Sequence, residues 1–122
     1  MEGLSKIVYK GKGIIYTDYS VVSESKEKTF QLIQAIENEI MQYPPNSVLS
    51  LTNVQNLGFD TEVLNKFKNS QEKTVQYQKK TAVIGLKGLQ QVAYNIVVAL
   101  TQRDRVKAFD TEIGAKDWLV SD

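Results

Sequence analysis

The spacing of apolar residues changes period repeatedly along this chain, and no other feature restricts its fold as tightly. Residues 6–10 and 12–19 are rich in Ile, Val, Tyr and Thr and flank a Gly11-Lys12-Gly13 turn, which predicts a β-hairpin. Over residues 23–43 the period lengthens. Thr29, Leu32, Ile33, Ile36, Ile40 and Tyr43 fall at helical spacing, while Glu24, Lys26, Glu27, Lys28, Glu37 and Glu39 lie largely off that face. Pro44-Pro45 ends this helix, because proline lacks a backbone donor and restricts the residue before it.

The alternation then continues. Residues 47–52 read as a strand and 53–58 as a loop. Asp60 is the N-cap of a second helix reaching about Gln78, with Val63, Leu64, Phe67 and Val75 as its core positions. Residues 81–86 form the next strand. A third helix follows Gly88, with Leu89, Val92, Ala93, Ile96, Val97 and Leu100 as its apolar stripe. Residues 105–109 are a last strand, and Asp110 or Thr111 caps a closing helix through Leu119, where Trp118 seals against the sheet edge.

The order β-β-α-β-α-β-α-β-α predicts an α/β fold over residues 1–122 as a single domain. Its sheet is five-stranded and mainly parallel, with an N-terminal hairpin and right-handed crossovers. Strands buried on both faces read as continuously apolar. Here Leu49 and Leu51 alternate with Ser50 and Thr52, which predicts helices mainly on one face and a partly wet opposite face.

Composition matters chiefly for what it removes. The 122 residues contain no Cys and no His. Disulfides, thiolate nucleophiles, Ser-His-Asp arrangements and His-ligated metals are therefore excluded within the chain. No Asp/Asn-rich loop suggests a Ca²⁺ site, and no cofactor motif is present. Fifteen basic and fourteen acidic residues leave a net charge of +1, which gives no field to draw nucleic acid or an anionic membrane. Lys79-Lys80 and Arg103-Asp104-Arg105 are too short to form a nucleic-acid patch. The start shows no basic-then-apolar leader, and residues 88–102 are too short to span a bilayer. The expectation is a cytoplasmic protein without membrane insertion.

Several stretches are similar to small bacterial proteins with the STAS-like fold of anti-sigma-factor antagonists. Ile15-Tyr16-Thr17-Asp18-Tyr19-Ser20 resembles a strand ending D-F-S, and Pro44 through Asn53 resembles PPNSVLTLTD. Thr81 through Leu89 resembles AVVGVTGL, and Val106 through Leu119 resembles KLFDTEEEAxxWL. The resemblance spans about Lys6 to Leu119. It implies a fold of successive β-α turns, shared distantly with CRAL-TRIO lipid-transfer domains, and implies no reaction. In anti-sigma-factor antagonists a Ser at the start of the second helix is phosphorylated by a partner kinase. That region falls near Gly58-Phe59-Asp60-Thr61, where Asp60 and Thr61 stand in place of a D-S-S-G sequence.

Candidate sites follow from position. The loop 53–61 lies at the carboxyl end of a central strand, where open α/β sheets place ligands. Asn53, Asp60, Thr61 and Lys66 are the expected partner or phosphorylation residues, on that loop and the second helix. Gly85, Lys87 and Gly88 form a strand-to-helix turn that could hold an anion, although GxxxxGK[ST] and GxGxxG are both absent. Asp18 and Ser20 lack a basic partner and are expected to form a turn. The reading is a non-enzymatic protein-interaction or regulatory module in bacterial signalling, with another protein as partner. The alternatives are a small-ligand or lipid-binding domain, and an enzyme using carboxylates and lysines. Homodimerisation through a sheet face or edge is compatible with all three.

Overall fold

A computed structural model describes residues 1–58, 60–86, 91, 94–95, 98–99 and 103–121. Five strands form one sheet in the order β1-β2-β3-β4-β5: Leu4–Tyr9, Lys12–Asp18, Val48–Asn53, Gln78–Ile84 and Val106–Ala108. β1 pairs antiparallel with β2, and every later pairing is parallel. Helix α1 is Lys26–Ile40, α2 is Thr61–Thr74 and α3 is Glu112–Val120. The expected order and mixed sheet are therefore present. Gln91, Tyr94, Asn95, Val98 and Ala99 are helical, whereas the stripe expected at Leu89, Val92, Ala93, Ile96, Val97 and Leu100 lies outside the described residues.

Local chemistry explains most boundaries. Lys10 and Gly11 have φ of 50° and 81°, the paired positive values of a two-residue hairpin turn that follows strand twist. The turn thus sits one residue earlier than expected, and Lys12 and Gly13 belong to β2. Tyr19–Val22 forms a 3₁₀ turn before α1, whose N-cap Ser25 accepts from Lys28 N–H. α2 runs to Thr74, and a 3₁₀ turn over Val75–Tyr77 carries the helical segment to the end expected near Gln78. Gln78 opens β4, and its buried amide donates to Thr74 Oγ1 at 3.1 Å and accepts from Thr81 Oγ1 at 2.5 Å. A buried amide satisfied on both ends holds the chain at this exit from helix to strand.

The two faces of the sheet differ in a way the sequence pattern misrepresents. α1 and α2 cover one face, where Leu32, Ile33, Val63 and Phe67 pack with Val83 and Val106, and Tyr94 and Val98 join the same cluster. That face carries Thr17, Ser50 and Thr81, all buried. The apolar alternates Ile14, Leu49, Leu51, Ala82 and Ile84 lie on the other face, under Ala115 and Leu119 of α3. The helices do lie mainly on one face, but the small polar positions point into it rather than into water. Helices approach closely over Ser and Thr, and hydroxyls there can bond within the interface.

α3 is fixed by its carboxyl end. Lys80 Nζ donates to the carbonyls of Trp118 (2.9 Å) and Ser121 (2.8 Å), and Lys12 Nζ donates to the Val120 carbonyl (3.0 Å). Cations suit the negative end of a helix, and two strands supply them here. Lys80 also lies over the Trp118 ring, 5.1 Å from its centre, and Trp118 packs on Phe109. Among the described residues no helix is long and apolar enough to cross a membrane.

Adjacent residues of β3 give opposite expectations. Leu51 is 0% exposed on the α3 face, so Leu51→Ala should cost about 3 kcal/mol in urea unfolding. Ser50 is 5% exposed with a hydroxyl that has no hydrogen-bond partner. Ser50→Ala should stay within about 0.5 kcal/mol of wild type or exceed it, since removing an unpartnered buried polar group relieves desolvation. Equal losses for the two variants would refute this account of the faces.

Candidate functional site

Because β2, β3 and β4 run parallel, their carboxyl ends share one rim of the sheet. Asp18, Asn53 and Ile84 stand side by side there in register. Asp18 Oδ1 accepts from both Ser20 N–H (2.9 Å) and Ser20 Oγ (2.5 Å), so this pair forms the expected turn and caps the 3₁₀ segment. Asn53 does the same on β3, where Oδ1 accepts from Gln55 N–H at 3.0 Å. The loop that follows is tied at Val54, Gln55 and Leu57, while Phe59 lies outside the described residues. Val54 N–H donates to the Ile84 carbonyl and Leu57 N–H to the Val54 carbonyl. Val54 and Leu57 are buried anchors, while Gln55, Asn56 and Gly58 face solvent.

Gly85 is brought against this loop. Its φ is +80°, and a Cβ there would stand 2.5 Å from Asn53 Oδ1 and 2.8 Å from Gln55 N. Only glycine allows both that backbone angle and that approach. Gly85 and Asn53 thus belong to one piece of structure, which the sequence reading assigned to two separate sites. Lys87 and Gly88, the rest of the expected anion-binding turn, lie outside the described residues. A cleft of about 340 Å³ opens beside Gly85, bordered by Leu86, Gln91, Phe109 and Asp110.

Asp60 caps α2, with Oδ1 accepting from Val63 N–H at 2.9 Å. Its other oxygen meets Lys26 Nζ at 2.6 Å, and Lys26 also reaches Glu62 at 3.4 Å. The Lys26 ammonium, then the Val63 amide, holds the Asp60 carboxyl below the usual carboxylate range, and Asp60 in turn raises Lys26. The start of α1 is thereby bound to the start of α2. Thr61, the first residue of α2, is exposed. Lys66 is half-buried, and its Nζ donates to Gln34 Oε1 of α1 at 2.7 Å. The outward stripe of α2 is Thr61, Asn65, Lys68 and Glu72, spaced three or four residues apart.

Sequence reasoning missed Lys26 and Gln34, the α1 partners of Asp60 and Lys66. Both sit among other polar helix residues, and nothing local distinguishes a polar side chain bridging helices from one facing water. It also missed Tyr16, on the α3 face, whose phenol is pushed up by burial against an opposing effect of Asn53. The rim thus presents amides, hydroxyls and a capped helix end. Asp18 is engaged in a turn, and Asp60 in a helix cap and an ion pair. Among the described residues no group of three metal-ligating side chains converges.

No protein-family model matches the sequence, and no curated protein matches it. Among solved structures, an uncharacterised protein of the DUF3478 family from Shewanella loihica PV-4, described as having a SpoIIAA-like fold, is similar with a TM-score of 0.70. The match covers 95% of this chain and 91% of that one at 17% sequence identity. At that identity the likeness speaks for architecture. The chain has a SpoIIAA-like, STAS-like α/β fold.

Proposed function

We propose that this chain is a non-enzymatic, regulatory protein-interaction module that docks a protein partner through loop 53–61 and the outward stripe of α2. The observation that carries the reading is the set of contacts that hold residues 53–57 of the loop. Its backbone is held from beneath by Asn53, Val54, Leu57 and Gly85, while Gln55, Asn56 and Gly58 are left facing out. A surface that is already ordered loses little entropy on binding. The SpoIIAA-like fold supports a regulatory role by analogy alone.

Thr61 is the position at which charge would modulate such docking. It lies at a helix N-terminus, which favours an added anion, between Asp60 and Glu62, which oppose it. Lys26 bridges both carboxylates and is the cation an added phosphoryl group would compete for. The rival reading, a ligand chamber between helices and sheet, draws no support from α1. Leu32, Ile33 and Leu57 fill that side and are almost fully buried.

Two outcomes test the proposal. Gly85→Ala should cost about 2 kcal/mol and speed amide exchange at Gln55 and Leu57, because the new methyl displaces the loop from below. Unchanged exchange there would remove the case for a rigid loop. In affinity purification from the source cell, Thr61→Glu and Asn65→Arg should each reduce the captured partner about tenfold, whereas Lys107→Glu, exposed on β5, should not. Equal recovery from all variants would place the partner elsewhere.

A further inference from the structure

The outer edge of β1 is open. β1 is a terminal strand of the sheet, paired with β2 on one side, and among the described residues no strand pairs with its other side. Natural edges are guarded by outward charges, proline or bulges. Here the register between β1 and β2 runs unbroken from Leu4↔Thr17 to Tyr9↔Lys12, and the strand Leu-Ser-Lys-Ile-Val-Tyr contains no proline. Its one charged residue, Lys6, is drawn over the sheet to α1, where Nζ meets Glu39 Oε2 at 3.0 Å. Beside it Val8 is 77% exposed. The edge therefore offers backbone groups and apolar surface with its one cation already paired.

Hairpin geometry fixes which groups face out. In a two-residue hairpin the pair flanking the turn is hydrogen-bonded, and bonded pairs then alternate along the strands. Tyr9, Ile7 and Ser5 consequently bond to β2, and the N–H and C=O groups of Lys6 and Val8 point away from the sheet. Three two-fold axes perpendicular to the sheet let both Lys6 and Val8 pair with residues 4–10 of a second copy. Centring on Lys6 sets Lys6 against its own mate. Centring on Val8 sets Lys6 against Lys10. Both oppose like charges directly, which is unfavourable. Centring on Ile7 pairs Lys6 with Val8 of the second copy, Ile7 with Ile7 and Ser5 with Tyr9. It is the arrangement of the three in which no lysine faces another.

We propose that the protein self-associates through β1, pairing antiparallel with β1 of a second copy about Ile7 to form a continuous ten-stranded sheet. The lysine register is what commits the edge to this occupant. The aliphatic stem of Lys6 covers Val8 of the other copy on the α1 side, and the two Ile7 side chains meet on the α3 side.

The chain contains no cysteine, which permits a direct test. Under oxidation Ile7→Cys should give a covalent dimer, because residues in a non-bonded antiparallel pair have Cα atoms about 4.5 Å apart, within disulfide range. Ser5→Cys, which this register keeps from its own mate, should not. In sedimentation, wild type should dimerise with rising concentration. Val8→Lys should weaken the dimer about tenfold by facing Lys6 of the other copy, and Val8→Glu should strengthen it by facing the same residue. A wild type that remains monomeric at the highest concentration, equal cross-linking of the two cysteine variants, or equal loss with Lys and Glu at position 8 would each overturn the proposal.

Discussion

The structure depends on β3 being enclosed on every side. It pairs in parallel with β2 and β4, and Val48, Leu49, Ser50 and Leu51 are buried in succession. A strand with neighbours at both edges and helices over both faces has no freedom to slip, because a one-residue shift would exchange Leu51 and Ser50 between two different interfaces. Its carboxyl end is correspondingly fixed. Asn53 receives this rigidity and passes it to the loop through the Gln55 amide and the close approach of Gly85.

Much of the architecture was legible because period follows from geometry. α1 reads directly from Thr29, Leu32, Ile33 and Ile40, all of which are buried, and Pro44-Pro45 marks its exit. The faces of the sheet are where the pattern misleads. The alternation of Ser50 and Thr52 with Leu49 and Leu51 predicts a partly wet face, since polarity usually signals exposure. In the structure Ser50 is buried on the α1 and α2 side of the sheet, as are Thr17 and Thr81. The second helix reads to its end within one residue, although its last turn, Val75–Tyr77, is 3₁₀. Its Gln and Thr tail looks solvated, yet Gln78 is buried by bonds to residues on both sides of the turn.

The candidate site was legible in position and opaque in its connections. Asp60 caps α2 as its place before Val63 predicted. Lys66 was expected to face outward, and the structure instead joins it to Gln34, which no pattern within α2 encodes. A single sequence records which residues are polar, not which polar residues meet across 32 positions of chain. Long-range pairing of this kind concentrates at the junction of α1 and α2, where Lys26 and Lys66 each cross between helices. That junction lets the loop and the α2 stripe behave as one surface.

The two open features of the molecule, rim and edge, do not compete. The rim belongs to the carboxyl ends of β2, β3 and β4, whereas the edge belongs to β1, which runs the opposite way. In a dimer formed through β1, the second β1 would run parallel to the first copy's β2, and the second β2 antiparallel to it. The two rims would then face opposite ends of the shared sheet. α3, held over its face by Lys12 and Lys80, leaves little of the central sheet for a further contact. Such a dimer would carry two docking surfaces pointing apart, so a partner bound at one rim would leave the other accessible. Any gain in binding would come from two partners being joined to each other, with no new contact at either site.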